Sequence, residues 1–222
     1  MRLYWWDTAH NLGDELTAML LSHYGYEVEW APVKYAEWVG IGSVLCRFDG
    51  FTGTVWGTGR SANHRAPIDL TRADVRALRG VLTRRLVKGG EAAVLGDPGL
   101  LASDLVTPDP QGYTAIVPHW DDQDRMRAAH PDDVFVDVTS DDALEVIARA
   151  GRVISSSLHG LVLADSFEIP RMWERFDGVQ GGGFKFADYA TVVGRCEPDE
   201  WFRPNPALIN TLKTEVRGCL AA

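Results

Sequence analysis

The sequence from Gly151 to Trp173, GRVISSSLHGLVLADSFEIPRMW, constrains the fold more than any other part of the chain. Two apolar residues predict the end of a buried strand, and three successive serines form a polar turn of the kind that caps helices. Leu158, Leu161 and Val162 then recur at helical spacing until Pro170 ends the helix and another strand begins. This order of strand, turn, helix and strand predicts an α/β fold with a parallel sheet.

His159 lies in the first turn of this predicted helix. In open parallel sheets, ligands bind at the carboxyl ends of the strands, where the unpaired N–H groups at a helix start also favour anions. Histidine titrates near neutral pH and therefore suits proton transfer in such a place. The sequence makes His159 the first candidate for catalysis. The alternative is a histidine that only packs at a domain interface.

The composition excludes several classes of protein. The chain has 222 residues, of which 45% are hydrophobic and 24% charged, as in ordinary globular proteins of one large or two small domains. Its net charge of −9 argues against nucleic acid as a partner and leaves room only for a local basic pocket. No apolar run approaches the roughly 20 residues that span a bilayer. We therefore expect any membrane contact to be peripheral.

The cysteines Cys46, Cys196 and Cys219 are far apart and form no CxxC pair. Their number and spacing indicate neither a disulfide framework nor a zinc site. We therefore expect reduced thiols in a cytoplasmic protein. No other metal-binding motif is visible in the sequence, so we expect no obligatory metal.

The N-terminal part of the chain predicts a second unit of strand, loop and helix. Arg2–Trp6 is a short β-type run, and apolar residues recur at helical spacing from Leu16 to Tyr24. Between them the sequence N-x-G-D, from Asn11 to Asp14, occupies the position of a phosphate-binding loop. The alternative is a capping turn in which Asp14 accepts hydrogen bonds from helix N–H groups.

Two further stretches bear on the domain organisation. Val75–Lys88 carries five cations and predicts a basic helix, for which a solvated surface is the simpler explanation. Thr107–Gly112, TPDPQG, has the composition of a linker. We therefore predict an N-terminal domain of residues 1–107 and a C-terminal domain of residues 113–222. A last helix at Asn205–Leu220 would pack back on the first domain.

Five segments resemble, in their order and spacing, the polysaccharide pyruvyl transferase family, and particularly its exopolysaccharide ketal-pyruvate transferases. They are NLGDEL, WGTG, LRGVLTRRLV with LGDPGLL, IVPHWDD and ISSSLHGLVLADSFEIP. The resemblance extends from Met1 to Tyr189 and implies two Rossmann-like domains facing a cleft, as in the GT-B fold. It also implies transfer of pyruvate from phosphoenolpyruvate onto two hydroxyls of one sugar, in a polysaccharide or its lipid-linked precursor. The products would be a cyclic ketal and phosphate, and no cofactor would be needed.

The resemblance further implies roles for residues in the serine turn and the helix after it. His159 would deliver a proton to the methylene carbon of phosphoenolpyruvate, because general acid catalysis needs a group that titrates near neutrality. Ser155, Ser156 and the N–H groups after them would hold the phosphate or the carboxylate of the donor. A bound phosphate would favour the charged imidazolium, so protonation of His159 would be coupled to donor binding.

Two cations are also expected around phosphoenolpyruvate, because this donor carries both a phosphate and a carboxylate. Arg79 matches the arginine of an arginine-glycine-proline element in the family, although Val81 stands where the proline is usual. Many relatives have an arginine two residues before the histidine, and Ser157 occupies that position in this chain. The second cation must therefore come from elsewhere, and Lys185 and Arg84 are the candidates.

Other polar residues receive roles at the cleft. His119 follows a predicted strand at the start of the second domain, where it would bind substrate or merely bond to the neighbouring backbone. Asn11 and Asp14 would shape the acceptor side of the cleft. Asp97 would either orient Arg79 or cap the helix that follows it, and we favour the cap.

Two other functions stay open. A GT-B glycosyltransferase that uses a nucleotide sugar needs an acidic residue for the ribose, and Asp188 is the candidate near the end of the second domain. A non-catalytic sugar-binding relative would neither bind nor turn over phosphoenolpyruvate. Four tryptophans would either stack on a sugar ring or belong to the core; they are Trp5, Trp6, Trp56 and Trp120.

Overall fold

A computed structural model describes residues 1–7, 12–61, 66–176 and 182–221 of the chain. In these ranges two main sheets and one pair of short strands are combined with helices. The prediction of an α/β fold with parallel sheets is confirmed. None of the helices in these ranges combines the length and the apolar character needed to cross a membrane.

The first sheet contains six parallel strands from the N-terminal part of the chain. They are β1 (Arg2–Tyr4), β2 (Glu29–Trp30), β3 (Trp38–Val39), β4 (Thr54–Trp56), β6 (Asp74–Leu78) and β8 (Val94–Leu95). The two other strands of this part, β5 (Ile68–Asp69) and β7 (Val87–Lys88), pair only with each other. The strand order is β2-β1-β3-β4-β6-β8. All three residues of β4 are buried, as expected of a central strand in a sheet covered on both faces.

The second sheet contains five strands from the C-terminal part. They are β9 (Thr114–Val117), β10 (Val134–Phe135), β11 (Arg152–Ser155), β12 (Arg171–Trp173) and β13 (Trp201–Phe202). The order is β10-β9-β11-β12-β13, and the strands are parallel except that β13 runs antiparallel to β12. In the central pair Ser155 lies opposite Val117, so the turns after β9 and β11 begin side by side.

Seven α-helices and four 3-10 helices complete the part of the chain that the structure describes. The α-helices are α1 (Leu12–His23), α2 (Val81–Arg84), α3 (Gln123–Ala129), α4 (Ala143–Ala148), α5 (Leu158–Ser166), α6 (Phe184–Val193) and α7 (Pro206–Gly218). The 3-10 helices are Val33–Tyr35, Leu45–Arg47, Pro98–Asp104 and Trp120–Asp122. Every residue of α5 except His159 is buried, so this helix lies in the interior with one side chain partly open to solvent.

α7 connects the end of the chain to the first sheet. Asn205 caps this helix by accepting a hydrogen bond of 2.8 Å from the N–H group of Ala207, and a proline occupies the first helical position. The indole N–H of Trp56 in β4 donates to the carbonyl of Val216 at 3.0 Å. Arg76 in β6 donates to the carbonyl of Cys219 at 2.9 Å. These bonds hold α7 against strands that precede it by more than a hundred residues.

The prediction of a basic helix at Val75–Lys88 is wrong. Its first part is β6, a strand that pairs with β4 on one side and β8 on the other. An extended glycine, Gly80, with φ −164° and ψ 177°, separates this strand from the single turn of α2. The pattern of cations resembled a helix face, but Ala77 and Leu78 are fully buried and pairing on both sides decides the structure.

The start of α1 also differs from the prediction. The helix begins at Leu12 rather than at Leu16, so Gly13 and Asp14 belong to its first turn and not to a loop. The N–H group of Leu12 donates to the carbonyl of Val138, after β10, at 2.8 Å. The first turn of α1 is therefore attached to the second sheet. The division into domains at residues 1–107 and 113–222 stays a prediction.

Candidate active site

Each main sheet has a point where the chain reverses its direction of progress across the strands. In the second sheet this point lies between β9 and β11, because β10 is on one side of β9 and β11 is on the other. In the first sheet it lies between β1 and β3 for the same reason. Loops at such a point diverge and leave a crevice at the carboxyl ends of the strands, which is where open α/β sheets bind ligands.

The two crevices meet at His159. The first turn of α5 carries His159, and its imidazole packs against Gly13 in the first turn of α1. A β-carbon at Gly13 would overlap the imidazole ring, so glycine is required by this close approach and not by its own dihedral angles. The starts of two helices, each with unpaired N–H groups, therefore adjoin one histidine.

His159 is neutral at physiological pH in this arrangement. Burial lowers its pKa to about 3, and the positive charges of Lys185 and Arg79, together with the nearby His119, act in the same direction. A neutral imidazole can accept a proton, but the N–H proton that it keeps is too weakly acidic for it to act as a general acid. An anion bound among these cations would raise the pKa again, because opposite charge favours the protonated ring.

Lys185, in the first turn of α6, is a cation whose charge acts on His159. Its side chain is largely buried, with a relative exposure of 8% for the residue. Burial, followed by the charge of Arg79, lowers its pKa to about 8, while Asp14, Asp122 and Asp121 act in the opposite direction. Lys185 is therefore close to half protonated a little above neutral pH, and both a cation and several carboxylates act on its charge.

The two predicted anion-binding serines are both buried and bonded to the protein. The hydroxyl of Ser155 lies 2.7 Å from the carbonyl of Val117 and 2.8 Å from that of Ser157, and it accepts a bond from the N–H group of Ser157. The hydroxyl of Ser156 accepts a bond of 2.9 Å from the N–H group of His119. Both side chains fasten the turns at the ends of β9 and β11, and their role in anion binding stays a prediction.

His119 caps the 3-10 helix that begins at Trp120. Its Nδ1 atom lies 3.4 Å from the N–H group of Asp121, from which it accepts a long hydrogen bond. Burial and the charge of Lys185 lower its pKa to about 4, so this imidazole is also neutral at physiological pH. The structure thus brings His119 and His159 to the same cation, Lys185.

Arg79 is fully buried and faces protein groups. Its Nε atom donates to Asp188 Oδ2 at 3.0 Å, and its two terminal nitrogens donate to the hydroxyl of Ser43 at 2.7 Å and the carbonyl of Arg60 at 2.9 Å. Asp188 also accepts bonds of 2.6 Å and 2.8 Å from Thr83. Direct contact between Arg79 and a substrate stays a prediction, but its charge acts on His159 and Lys185.

The ion pair of Arg79 and Asp188 also positions Lys185. Asp188 lies three residues after Lys185 on α6, so the pair holds the same face of this helix against the first sheet. Sequence reasoning considered Asp188 only as a ribose ligand and missed this pairing. The spacing of Lys185 and Asp188 on one helix face was the available signal, but the partner of Asp188 is 109 residues away in sequence.

The remaining predicted residues lie around this centre or outside the described part of the chain. Asp97 caps the helix Pro98–Asp104 by accepting a bond of 2.9 Å from Gly99, so the capping interpretation is confirmed. Burial raises its pKa to about 6. Asp14 lies close enough to Lys185 to raise its pKa, whereas Asn11 falls outside the described residues.

Neither a metal cluster nor the cavity beside β12 coincides with the described residues of this site. In the described ranges no group of three or more His, Cys, Asp or Glu side chains is arranged to hold a metal, and the expectation that no metal is needed stays a prediction. A cavity of about 570 Å³ lies near the amino end of β12, where Ser103, Glu168 and Lys213 are among its lining residues. It contains none of the predicted site residues.

Comparisons with known proteins match the part of the chain that contains both histidines of this site. The model of the family "Polysaccharide pyruvyl transferase" matches residues 68–173, which include His119 and His159 but not Asp14 or Lys185. The succinoglycan biosynthesis protein ExoV of Rhizobium meliloti (strain 1021) is 29% identical over 218 residues, 87% of this chain and 65% of that protein. An uncharacterized protein of Acanthamoeba polyphaga mimivirus is 31% identical over 135 residues, 54% of this chain and 47% of that protein. The chain spans less than two thirds of the length of either relative. No solved structure matches it.

Proposed function

Because the chain belongs to the polysaccharide pyruvyl transferase family, we propose that it moves pyruvate from phosphoenolpyruvate onto two hydroxyls of one sugar. The sugar is part of a polysaccharide or of its lipid-linked precursor, and the products are a cyclic ketal and phosphate. The observation that carries the proposal is the meeting of His159 and Lys185 where the crevices of both sheets adjoin. In this proposal the two sheets belong to Rossmann-like domains that face a GT-B-like cleft.

The donor is placed beside Lys185. Phosphoenolpyruvate carries a phosphate and a carboxylate, and charge-assisted bonds to such groups are roughly twice as strong as neutral ones. Lys185 offers a direct contact, and the N–H groups at the start of α5 offer further donors at the carboxyl end of β11. Arg79 adds positive charge to the site from farther away, because its guanidinium is bonded to Asp188.

His159 transfers the protons in this proposal. The bound anions raise the pKa of its imidazole, so that it takes up a proton and delivers it to the methylene carbon of the donor. The first sugar hydroxyl then attacks the cationic carbon, and the second replaces phosphate. His159 recovers its proton from the first hydroxyl, so that one hydroxyl proton has in effect moved to the new methyl group. The proton of the second hydroxyl leaves with phosphate, and no cofactor takes part.

The proposal keeps two further expectations from the sequence. The protein acts in the cytoplasm, and it touches a membrane only peripherally, through a lipid-linked acceptor. Nucleic acid has no part in the reaction.

Phosphate release from phosphoenolpyruvate across a panel of glycan acceptors tests the proposal. We expect release that depends on the acceptor, and no release of nucleotide from nucleotide sugars. The glycosyltransferase alternative receives no support from Asp188, which is fully buried between Arg79 and Thr83. Release of nucleotide, or the absence of phosphoenolpyruvate binding, would contradict the proposal.

The Michaelis constant for phosphoenolpyruvate should depend on the protonation of Lys185. Its pKa of about 8 means that the ammonium group is lost as the pH rises through this value, and donor affinity falls with it. We expect the constant to increase above about pH 8 and to show no such increase in Lys185→Met. Lys88→Met, at an exposed position, is the matched control. An unchanged pH profile in Lys185→Met would show that another group binds the anion.

A further inference from the structure

The cavity of about 570 Å³ beside β12 lies at the opposite edge of the second sheet from His159. Its lining includes Gly151 and Pro170, the residues that directly precede β11 and β12, so it borders the amino ends of these strands. α5 connects the two places, because its first turn carries His159 and its last residue, Ser166, lines the cavity. A volume of this size is typical of sites for small molecules.

Lys213 of α7 places a buried ammonium group at this cavity. The residue is 8% exposed, and its Nζ atom donates to the hydroxyl of Ser103 at 2.8 Å and to the carbonyl of Ser166 at 2.7 Å. Both partners are uncharged, and among the described residues the third N–H bond of this ammonium group has no acceptor. A buried charge without an ion pair is unusual and costly. An anionic group in the cavity would supply the counter-charge.

Arg203 adds a second cation to the lining. It directly follows β13 and is exposed, so it marks a place where the cavity reaches solvent. Its guanidinium forms no ion pair within the described ranges of the chain. A phosphate monoester carries about 1.5 to 2 negative charges at neutral pH, and its oxygens accept charge-assisted bonds from arginine and lysine. Two cations without carboxylate partners therefore match a phosphate better than a singly charged carboxylate.

Glu168 contributes a carboxylate to the same lining, in a backbone conformation that favours glycine. Its φ of 58° lies in the left-handed region, and it directly follows Phe167, the residue that caps the end of α5. A side chain with a β-carbon is strained there. The carboxylate acts on Lys213, where it opposes the lowering of the lysine pKa by burial, but the two groups form no ion pair. An acidic side chain at a strained position has a use if it binds a ligand, since carboxylates accept several hydrogen bonds.

We propose that this cavity is a second ligand site, separate from that of His159, and that it binds a hexose monophosphate. Lys213 and Arg203 hold the phosphate, and Glu168 accepts hydrogen bonds from hydroxyls of the sugar. Apolar walls, among them Pro108 and Phe167, contact the carbons of the ring. With two cations and one carboxylate, the lining attracts an anion and requires hydroxyl donors in the same ligand. This site does not depend on the proposed function.

Calorimetric titration of the wild-type protein with glucose 6-phosphate, glucose 1-phosphate, glucose and inorganic phosphate tests the cavity without turnover. We expect a hexose phosphate to bind more tightly than inorganic phosphate, and glucose not to bind. Arg203→Met should weaken this binding about tenfold, because a charge-assisted bond is lost, and Lys213→Met should weaken it at least as much. Arg85→Met, at an exposed arginine after α2, is the control and should bind as wild type does.

Glu168→Gly tests the carboxylate in a variant that is expected to fold. Glycine relieves the left-handed backbone, so the midpoint of urea denaturation should not fall. The affinity for the hexose phosphate should fall towards that for inorganic phosphate, because the acceptor of the sugar hydroxyls is lost. This variant separates lost binding from lost structure, which Lys213→Met alone would not do, since Lys213 also joins α7 to the end of α5.

Lys185→Met distinguishes the cavity from the active site, and it should bind the hexose phosphate as wild type does. Binding that is lost in Lys185→Met but kept in Arg203→Met would place the ligand at the active site and overturn the proposal. The proposal also fails if wild-type protein binds neither hexose phosphate, or if Glu168→Gly binds it as tightly as wild type. Wild-type protein that binds a hexose phosphate but not phosphoenolpyruvate would contradict only the pyruvyl transfer.

Discussion

Replacing His159 with alanine is expected to slow phosphate release from phosphoenolpyruvate by about a hundredfold or more, the usual contribution of a general acid or base. His159 is the partly exposed residue of an otherwise buried helix, and it packs on Gly13 where the two sheets adjoin. His119, the other histidine beside Lys185, caps a short 3-10 helix instead. The affinity for phosphoenolpyruvate should fall much less than the rate, because Lys185 stays in place.

Rate constants measured at saturating donor for His159→Ala and His23→Ala test this expectation. His23 is exposed at the end of α1, so its loss should leave the rate unchanged. If the rate constant and the affinity for phosphoenolpyruvate fell by the same factor in His159→Ala, His159 would bind the anion but transfer no proton. A His159→Ala variant with the wild-type rate would exclude it from the chemistry.

Replacing Asp188 with alanine is expected to lower the free energy of unfolding by about 3–5 kcal/mol, the cost of breaking a buried ion pair on one side. Arg79 and Asp188 are fully buried, and the variant would leave the guanidinium without its carboxylate. It would also remove the acceptor of two hydrogen bonds from Thr83. The start of α6, and Lys185 with it, would lose its attachment to the first sheet.

Urea denaturation of Asp188→Ala and Glu37→Ala tests the role of burial. The ion pair of Arg2 and Glu37 has the same N···O distance of 3.0 Å, but its side chains are 46% and 50% exposed. Solvent screens such a pair, so Glu37→Ala should change the midpoint far less. Equal shifts for the two variants would contradict the structural importance of the buried pair. Asp188→Asn, which keeps an acceptor for Thr83, should lie between Asp188→Ala and wild type.

Much of the second sheet and the place of His159 could be predicted from the sequence. The strand, serine turn and helix of residues 151–173 form as expected, because their apolar residues and turn residues indicate the same local structure. The final helix begins where Asn205 and Pro206 indicate a start. In these segments local signals and burial agree, and the prediction needs no knowledge of distant partners.

The first sheet was harder to predict because its strands are short and their partners are distant. β6 was mistaken for a helix, since its cations masked a strand that gains its stability from β4 and β8 on either side. Similarly, Lys185 was one of two candidates for the second cation, and nothing local to α6 shows that it reaches His159. Pairings such as that of Arg79 and Asp188 depend on the tertiary fold.

The transfer of label from carbon-labelled phosphoenolpyruvate to a glycan tests the proposed function most directly. We predict that wild-type protein attaches the labelled pyruvate to the acceptor as an acid-labile ketal, with one phosphate released for each, and that His159→Ala does not. Label that stays in phosphoenolpyruvate with every acceptor, or phosphate release that leaves the glycan unlabelled, would contradict pyruvyl transfer by this protein.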